Sequence, residues 1–175
     1  MRKQVLLGLL FTLGLSASVQ AQALSLDQLI AYQKGGLSVM NNSLIGRGWV
    51  FKGKEEAEGA PAECDFPMIT WLYGQSTNDA SKADAFVFLG KQADCSYIVS
   101  YQVFNPLYVK QIRAAVAAYN MKLIDTQVVS NALNEPGVKE LYQGATYTVE
   151  VVTASRKSSA SALMNYYYIM VYKRS

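Results

Sequence analysis

The sequence predicts an α+β protein, with one antiparallel sheet of about seven strands and helices packed on one face. Three observations carry that class. Helix-start signals occur twice, at Ser25 and at Asn105. After each of them, apolar and polar residues alternate with period two in several short runs, the signature of half-buried strands. The strands follow each helix in groups and do not alternate singly with helices, which separates α+β from α/β. At 175 residues, 51% hydrophobic and 17% charged, the chain has the length for one domain and the apolar content to bury a core.

Met1 to Ala23 stands apart from that domain. Arg2 and Lys3 precede the apolar run Val5–Leu15, and small and polar residues follow up to Ala23. This is the layout of a secretory signal peptide, with cleavage after Ala21 or Ala23 fitting equally. The apolar run is about half of what a spanning helix needs. The expectation is a leader over 1–23 and a single α+β domain over 24–175, exported to the periplasm or outside the cell, with no membrane span left after cleavage. Without Arg2 and Lys3, 14 basic residues face 13 acidic ones. No basic stripe remains, so nucleic acid is not an expected partner.

The first helix opens on Ser25-Leu26-Asp27-Gln28, an S-x-x-Q capping box with an acidic residue at the positive helix end. Leu26, Leu29 and Ile30 recur at helical spacing. Gly35-Gly36 predicts a break, and Leu37, Met40, Leu44 and Ile45 resume the stripe until Gly46-Arg47-Gly48 ends it. Strands are then expected over Trp49–Lys52, Met68–Tyr73, Phe86–Leu89 and Tyr97–Phe104. Asn105-Pro106 starts the second helix, an N-cap followed by proline at the first position. Tyr108, Ile112, Ala115, Val116 and Tyr119 form its inward stripe, with Lys110, Gln111 and Arg113 facing out. Strands resume at Lys122–Val129, at Lys139–Tyr142 running through a bend at Gly144 into Thr146–Thr153, and at Tyr166–Lys173.

Helix, strands, helix, strands is the same order twice, which leaves two α-plus-meander units, 24–104 and 105–175, as an alternative to one undivided arrangement. This order resembles the secreted β-lactamase-inhibitor-type fold, built of two such units. The resemblance implies a sheet able to present a binding face. Ser25-Leu26-Asp27-Gln28-Leu29 together with Gly48-Trp49-Val50-Phe51 is similar to a pattern of small uncharacterised exported α+β proteins. Neither resemblance brings a functional motif. The chain also lacks the two-disulfide content of the inhibitor family, so no residue role is carried over.

The absence of histidine removes Ser-His-Asp and Cys-His nucleophiles, histidine metal ligands and imidazole proton shuttles. No P-loop, G-x-S-x-G or S-x-x-K spacing occurs, and Gly46-x-Gly48 follows a helix where a dinucleotide fingerprint would follow a strand. The sequence names no catalytic, cofactor-binding or metal-ligating residue. Cys64 and Cys95, read in an oxidising compartment, are expected to form a structural disulfide.

Two clusters remain as candidate sites. Glu55, Glu56, Glu58, Glu63 and Asp65 form an acidic patch that reads as a solvated charge run, a surface for a basic partner or a calcium site without loop spacing. Six of the 12 tyrosines, Tyr97, Tyr101, Tyr147, Tyr166, Tyr168 and Tyr172, fall at strand positions and are expected to share one face. Tyrosine gives large contact area at low entropic cost, so such a face reads as a recognition surface as well as cross-strand packing. The functional expectation is a non-catalytic exported binding module of inhibitor or immunity type, with a protein or glycan partner in the envelope or outside the cell. The alternatives are a small envelope hydrolase working through paired carboxylates, and a protein with an apolar ligand pocket between helices and sheet.

Overall fold

The computed structural model describes residues 23–55, 64, 66–74, 83–130, 136–157 and 163–174. The expected leader therefore lies outside the described residues except for Ala23. Helix α1 (Leu26–Leu44) leads into strands β1 (Trp49–Glu55), β2 (Met68–Tyr73), β3 (Ala85–Lys91) and β4 (Tyr97–Val103). Helix α2 (Pro106–Ala118) leads into β5 (Lys122–Ser130), β6 (Pro136–Gln143), β7 (Tyr147–Lys157) and β8 (Leu163–Lys173). The eight strands of the described residues belong to one sheet, in the order β1-β2-β3-β4-β8-β7-β6-β5, with every neighbouring pair antiparallel. Each helix is thus followed by a four-strand meander, and β4 pairs with β8 to fuse the two meanders into one sheet.

The strand count exceeds the expected seven because Gly144 is a hairpin turn. The chain reverses between β6 and β7, and the Gly144 amide donates to the Tyr147 carbonyl at 2.9 Å. Period-two alternation runs on across a tight turn, so it does not distinguish one bent strand from two paired ones.

Both helix starts follow from their caps. The Ser25 hydroxyl accepts from the Gln28 amide at 3.2 Å, and the Gln28 side chain accepts from the Ser25 amide at 3.0 Å. The Asn105 side chain accepts from the Leu107 amide at 2.9 Å, with Pro106 at the first turn. Gly36 interrupts α1 with φ 62° and ψ −149°. That break changes the stripe. Leu26, Leu29, Ile30 and Tyr32 are buried before it, and Met40 and Leu44 after it. Leu37 and Ile45, expected in the stripe, are 36% and 64% exposed: Leu37 directly follows the kink, where Gly36 is the residue set against Tyr97 of the sheet, and Ile45 is the non-helical C-cap beyond the last turn. On α2, Tyr108, Val109, Ile112 and Val116 are buried and Tyr119 is exposed. Arg113 does not simply face out, since its guanidinium reaches Glu140 on β6 at 2.7 Å.

The core lies between the helices and one face of the sheet. Leu29, Met40, Leu44 and Ile112 pack with Val87, Leu89, Val99, Tyr101, Val151 and Ile169. Burying each such aliphatic side chain contributes roughly 1.5–3 kcal/mol. Cys64 and Cys95 form the expected disulfide, with Cα atoms 5.3 Å apart, and it ties the segment before β2 to the β3–β4 turn. That turn is held independently, as the Lys91 ammonium donates to the Cys95 carbonyl at 2.6 Å. Among the described residues, no helix is long and apolar enough to cross a membrane.

Candidate functional site

Strand register decides which side chains share a face, because directly opposed residues of an antiparallel pair point the same way. On the helix side, one row reads Trp71, Val87, Tyr101, Ile169 and Val151. The adjacent row, on the opposite face, reads Leu72, Phe86, Gln102, Tyr168 and Val152. The six expected tyrosines consequently divide. Tyr97, Tyr101 and Tyr147 belong to the helix side, and Tyr166, Tyr168 and Tyr172 to the other.

The helix-side three are engaged in packing and polar contacts. Tyr101 is fully buried, its hydroxyl accepts from the Leu24 amide at 3.3 Å, and burial pushes its ionisation well above the ordinary tyrosine range. The Tyr97 ring lies under the Lys91 ammonium at 4.1 Å and edge-on to Phe66 at 5.5 Å, with its carbonyl accepting from Gln33 at 3.1 Å. The Tyr147 ring sits 5.4 Å from the Lys34 ammonium. Beside the α1 kink, Gln33, Lys34, Tyr97 and Tyr147 bound a recess of about 300 Å³, shared with Ser96, Thr146 and Lys173. Its lining is more apolar than polar, with two lysines, Lys34 and Lys173, among the residues that bound it.

The face opposite the described helices carries a ladder of aromatic rings. Phe86 and Phe88 alternate with Val87 and Leu89 along β3, so they emerge on this side and stack with centroids 6.1 Å apart. Phe88 stacks in turn on Tyr168 at 6.5 Å and 21°, across β4. Ser100 permits this, since it opposes Phe88 on β4 and its small side chain leaves room for the rings to lean together. Tyr168 meets Tyr166 edge-on at 6.1 Å. Phe86, Phe88 and Tyr168 are part-exposed and Tyr166 is buried. Burial also holds the Tyr168 hydroxyl above its usual ionisation range.

Beside the ladder lies a polar cluster. The Tyr172 hydroxyl donates to Glu150 at 2.6 Å, and Lys139 stands 3.9 Å from the other Glu150 oxygen. Burial first, and the Glu150 carboxylate second, push Tyr172 ionisation far up. Its hydroxyl is therefore a fixed donor, not a base. Glu140 and Glu150 sit in adjacent strands, but Glu140 opposes Val151 on the helix side while Glu150 opposes Met170 on the other. These two carboxylates cannot flank one substrate bond. Of the acidic patch, Glu55 ends β1 and is exposed, while Glu56, Glu58, Glu63 and Asp65 lie outside the described residues. Among the described residues, no cluster of three or more cysteine or carboxylate side chains is placed to hold a metal ion.

Phe86 and Phe88 are the members of this face that tyrosine counting missed. Their alternation with Val87 and Leu89 was the available signal. No protein-family profile matches the chain, no curated protein matches its sequence, and no solved structure matches its fold.

Proposed function

We propose that the chain is an exported, non-catalytic binding protein, of inhibitor or immunity type, that holds a protein partner on the sheet face opposite the described helices. The observation that carries this reading is the four-ring ladder Phe86–Phe88–Tyr168–Tyr166 on the side of the sheet opposite the described helices. Aromatic anchors supply most of the energy of many interfaces, and these four already restrain one another by stacking. A partner that meets the part-exposed Phe86, Phe88 and Tyr168, with the buried Tyr166 behind them, finds little side-chain freedom left to lose. The Tyr172–Glu150–Lys139 cluster beside the ladder offers directional polar contacts, as a polar rim does around a hot spot. Export is supported by the leader-like first 23 residues and by a disulfide, which persists in oxidising compartments.

The test is site-specific photo-crosslinking in cells that make the protein. A photoreactive amino acid at Gln102, between Phe86 and Tyr168 in the same row, is expected to give a discrete protein adduct. The same amino acid at Lys110, on the outer side of α2, is expected to give none. Phe88→Ala and Tyr168→Ala should each weaken binding of the captured partner by about tenfold or more. Equal adducts from Gln102 and Lys110, or a partner indifferent to both alanine variants, would overturn the reading. An adduct to glycan in place of protein would overturn the partner class.

A further inference from the structure

The two edges of the sheet are built differently. β1 carries Lys52, Lys54 and Glu55, and a bulge between Phe51 and Gly53. Charges and bulges are the devices that stop a free edge from recruiting another strand. β5, the opposite edge, is nine residues long and mostly exposed on both faces. Its bulge falls between Leu123 and Asp125, and from Asp125 to Ser130 its pairing with β6 is regular. Thr126-Gln127-Val128-Val129-Ser130 has no charge at all. Val128 is 86% exposed, and Val138, its neighbour on β6, is 43% exposed on the same face.

We propose that β5 pairs with β5 of a second copy of this chain, antiparallel about a two-fold axis at Val128, to form one continuous sixteen-stranded sheet. Face matching restricts the register. Directly opposed residues must share a face, so only registers with a residue on the axis are allowed. The bulge confines the regular run to Asp125–Ser130, which leaves two registers of five residues. An axis at Gln127 sets the Asp125 carboxylate against Val129 twice. An axis at Val128 sets Thr126 against Ser130, Gln127 against Val129 and Val128 against itself. It also gathers Val128 and Val138 of both copies into one cluster of four valines on the helix side. No like charges oppose each other in this register. The whole-chain net charge of +3 adds little repulsion between copies. The pairing is short, which places it with small reversible interfaces and not with obligate dimers.

Sedimentation of the purified protein from about 1 µM to about 500 µM is expected to show a reversible monomer–dimer equilibrium, the range a small interface implies. Val128→Lys, at a position exposed enough to accept it, should weaken the dimer at least about tenfold, since it sets two ammonium groups face to face. Phe51→Lys on β1 should leave the equilibrium unchanged. The described residues hold no free cysteine, so an added one is a clean probe. Val128→Cys places two thiols directly opposite each other and should cross-link on mild oxidation. Thr126→Cys leaves its thiols about 14 Å apart, four residues out of step, and should not. A monomer throughout the range overturns the proposal, as does a dimer indifferent to Val128→Lys. Cross-linking at Thr126 as fast as at Val128 overturns it too.

Discussion

Replacing Gly36 by alanine tests how the α1 kink and the sheet depend on each other. Gly36 has φ 62° and ψ −149°, a region open essentially to glycine alone. Occupying it with an L side chain costs about 1–3 kcal/mol. The added methyl would also stand 2.3 Å from Tyr97 Cε2 and 2.4 Å from Cζ. That ring has little freedom to retreat, with Lys91 over one side, Phe66 against its edge and Gln33 fixing its backbone. Overpacking of this kind adds about 1–3 kcal/mol. Gly36→Ala should therefore destabilise the fold by about 2–6 kcal/mol, or roughly 4–24 °C in Tm at this domain size. Gly46→Ala is the control, because Gly46 also has positive φ (80°) yet nothing lies within 4 Å of its added Cβ. It should cost only the backbone part, about 1–2 kcal/mol. Urea unfolding under non-reducing conditions reads both. In a Tyr97→Ala background, Gly36→Ala should lose its clash and keep its backbone cost, a coupling that a double-mutant cycle measures directly. If Gly36→Ala costs no more than Gly46→Ala, the kink is not held against Tyr97 and the reasoning fails.

The disulfide and the buried tyrosines give two further expectations. Cys64 and Cys95 close a loop of 31 residues, so Cys64→Ser/Cys95→Ser should cost about 3–4 kcal/mol, and a thiol assay on the unreduced, denatured protein should find no free cysteine; two thiols per chain would refute the bridge. Tyr101, Tyr168 and Tyr172 all ionise above the ordinary value of about 10, chiefly through burial. A raised native pKa holds the proton in the folded state, so this stability is complete below pH ~10 and declines as pH rises through the native values. Absorbance at 295 nm should show part of the 12 tyrosines titrating normally and the rest resisting until the protein unfolds. Twelve normal titrations in the native protein would contradict the burial.

Sequence reading reached the parts of the fold that local chemistry determines. The Ser25–Gln28 box, the Asn105-Pro106 start and the Gly36 break are each written within four or five residues. The division of the tyrosines is not local. Within β4, Tyr97 and Tyr101 share parity, and within β8, Tyr166, Tyr168 and Tyr172 do. Whether the two sets meet depends on the β4–β8 register, which opposes Tyr101 to Ile169 and Tyr172 to Ile98 across about seventy residues of chain. A shift by one residue would reverse the answer. The ladder was hidden for the same reason, since Phe88 and Tyr168 come together only once β4 lies between them and contributes Ser100. The exposure of β5 was also beyond reach, because its alternating residues read like any half-buried strand until its place at the sheet's edge is known.

That edge position bears on how the binding face would be used. A two-fold axis that joins β5 to β5 runs normal to the sheet, so each copy keeps its faces on the same sides. Both ladders would then look out from one side of the joined sheet, on β3 and β8 of each copy, well away from the seam. The two proposals are energetically separable for that reason, since Val128 and the Phe88–Tyr168 pair lie on different strands with no shared neighbour. A partner with a single epitope should bind the monomer and the dimer alike. A partner with two epitopes gains from the second as an intramolecular event, and its apparent affinity can rise by about 10²–10⁴ with no new contact. Self-pairing through an unguarded edge would in this way serve recognition through avidity, while the ladder alone sets what is recognised.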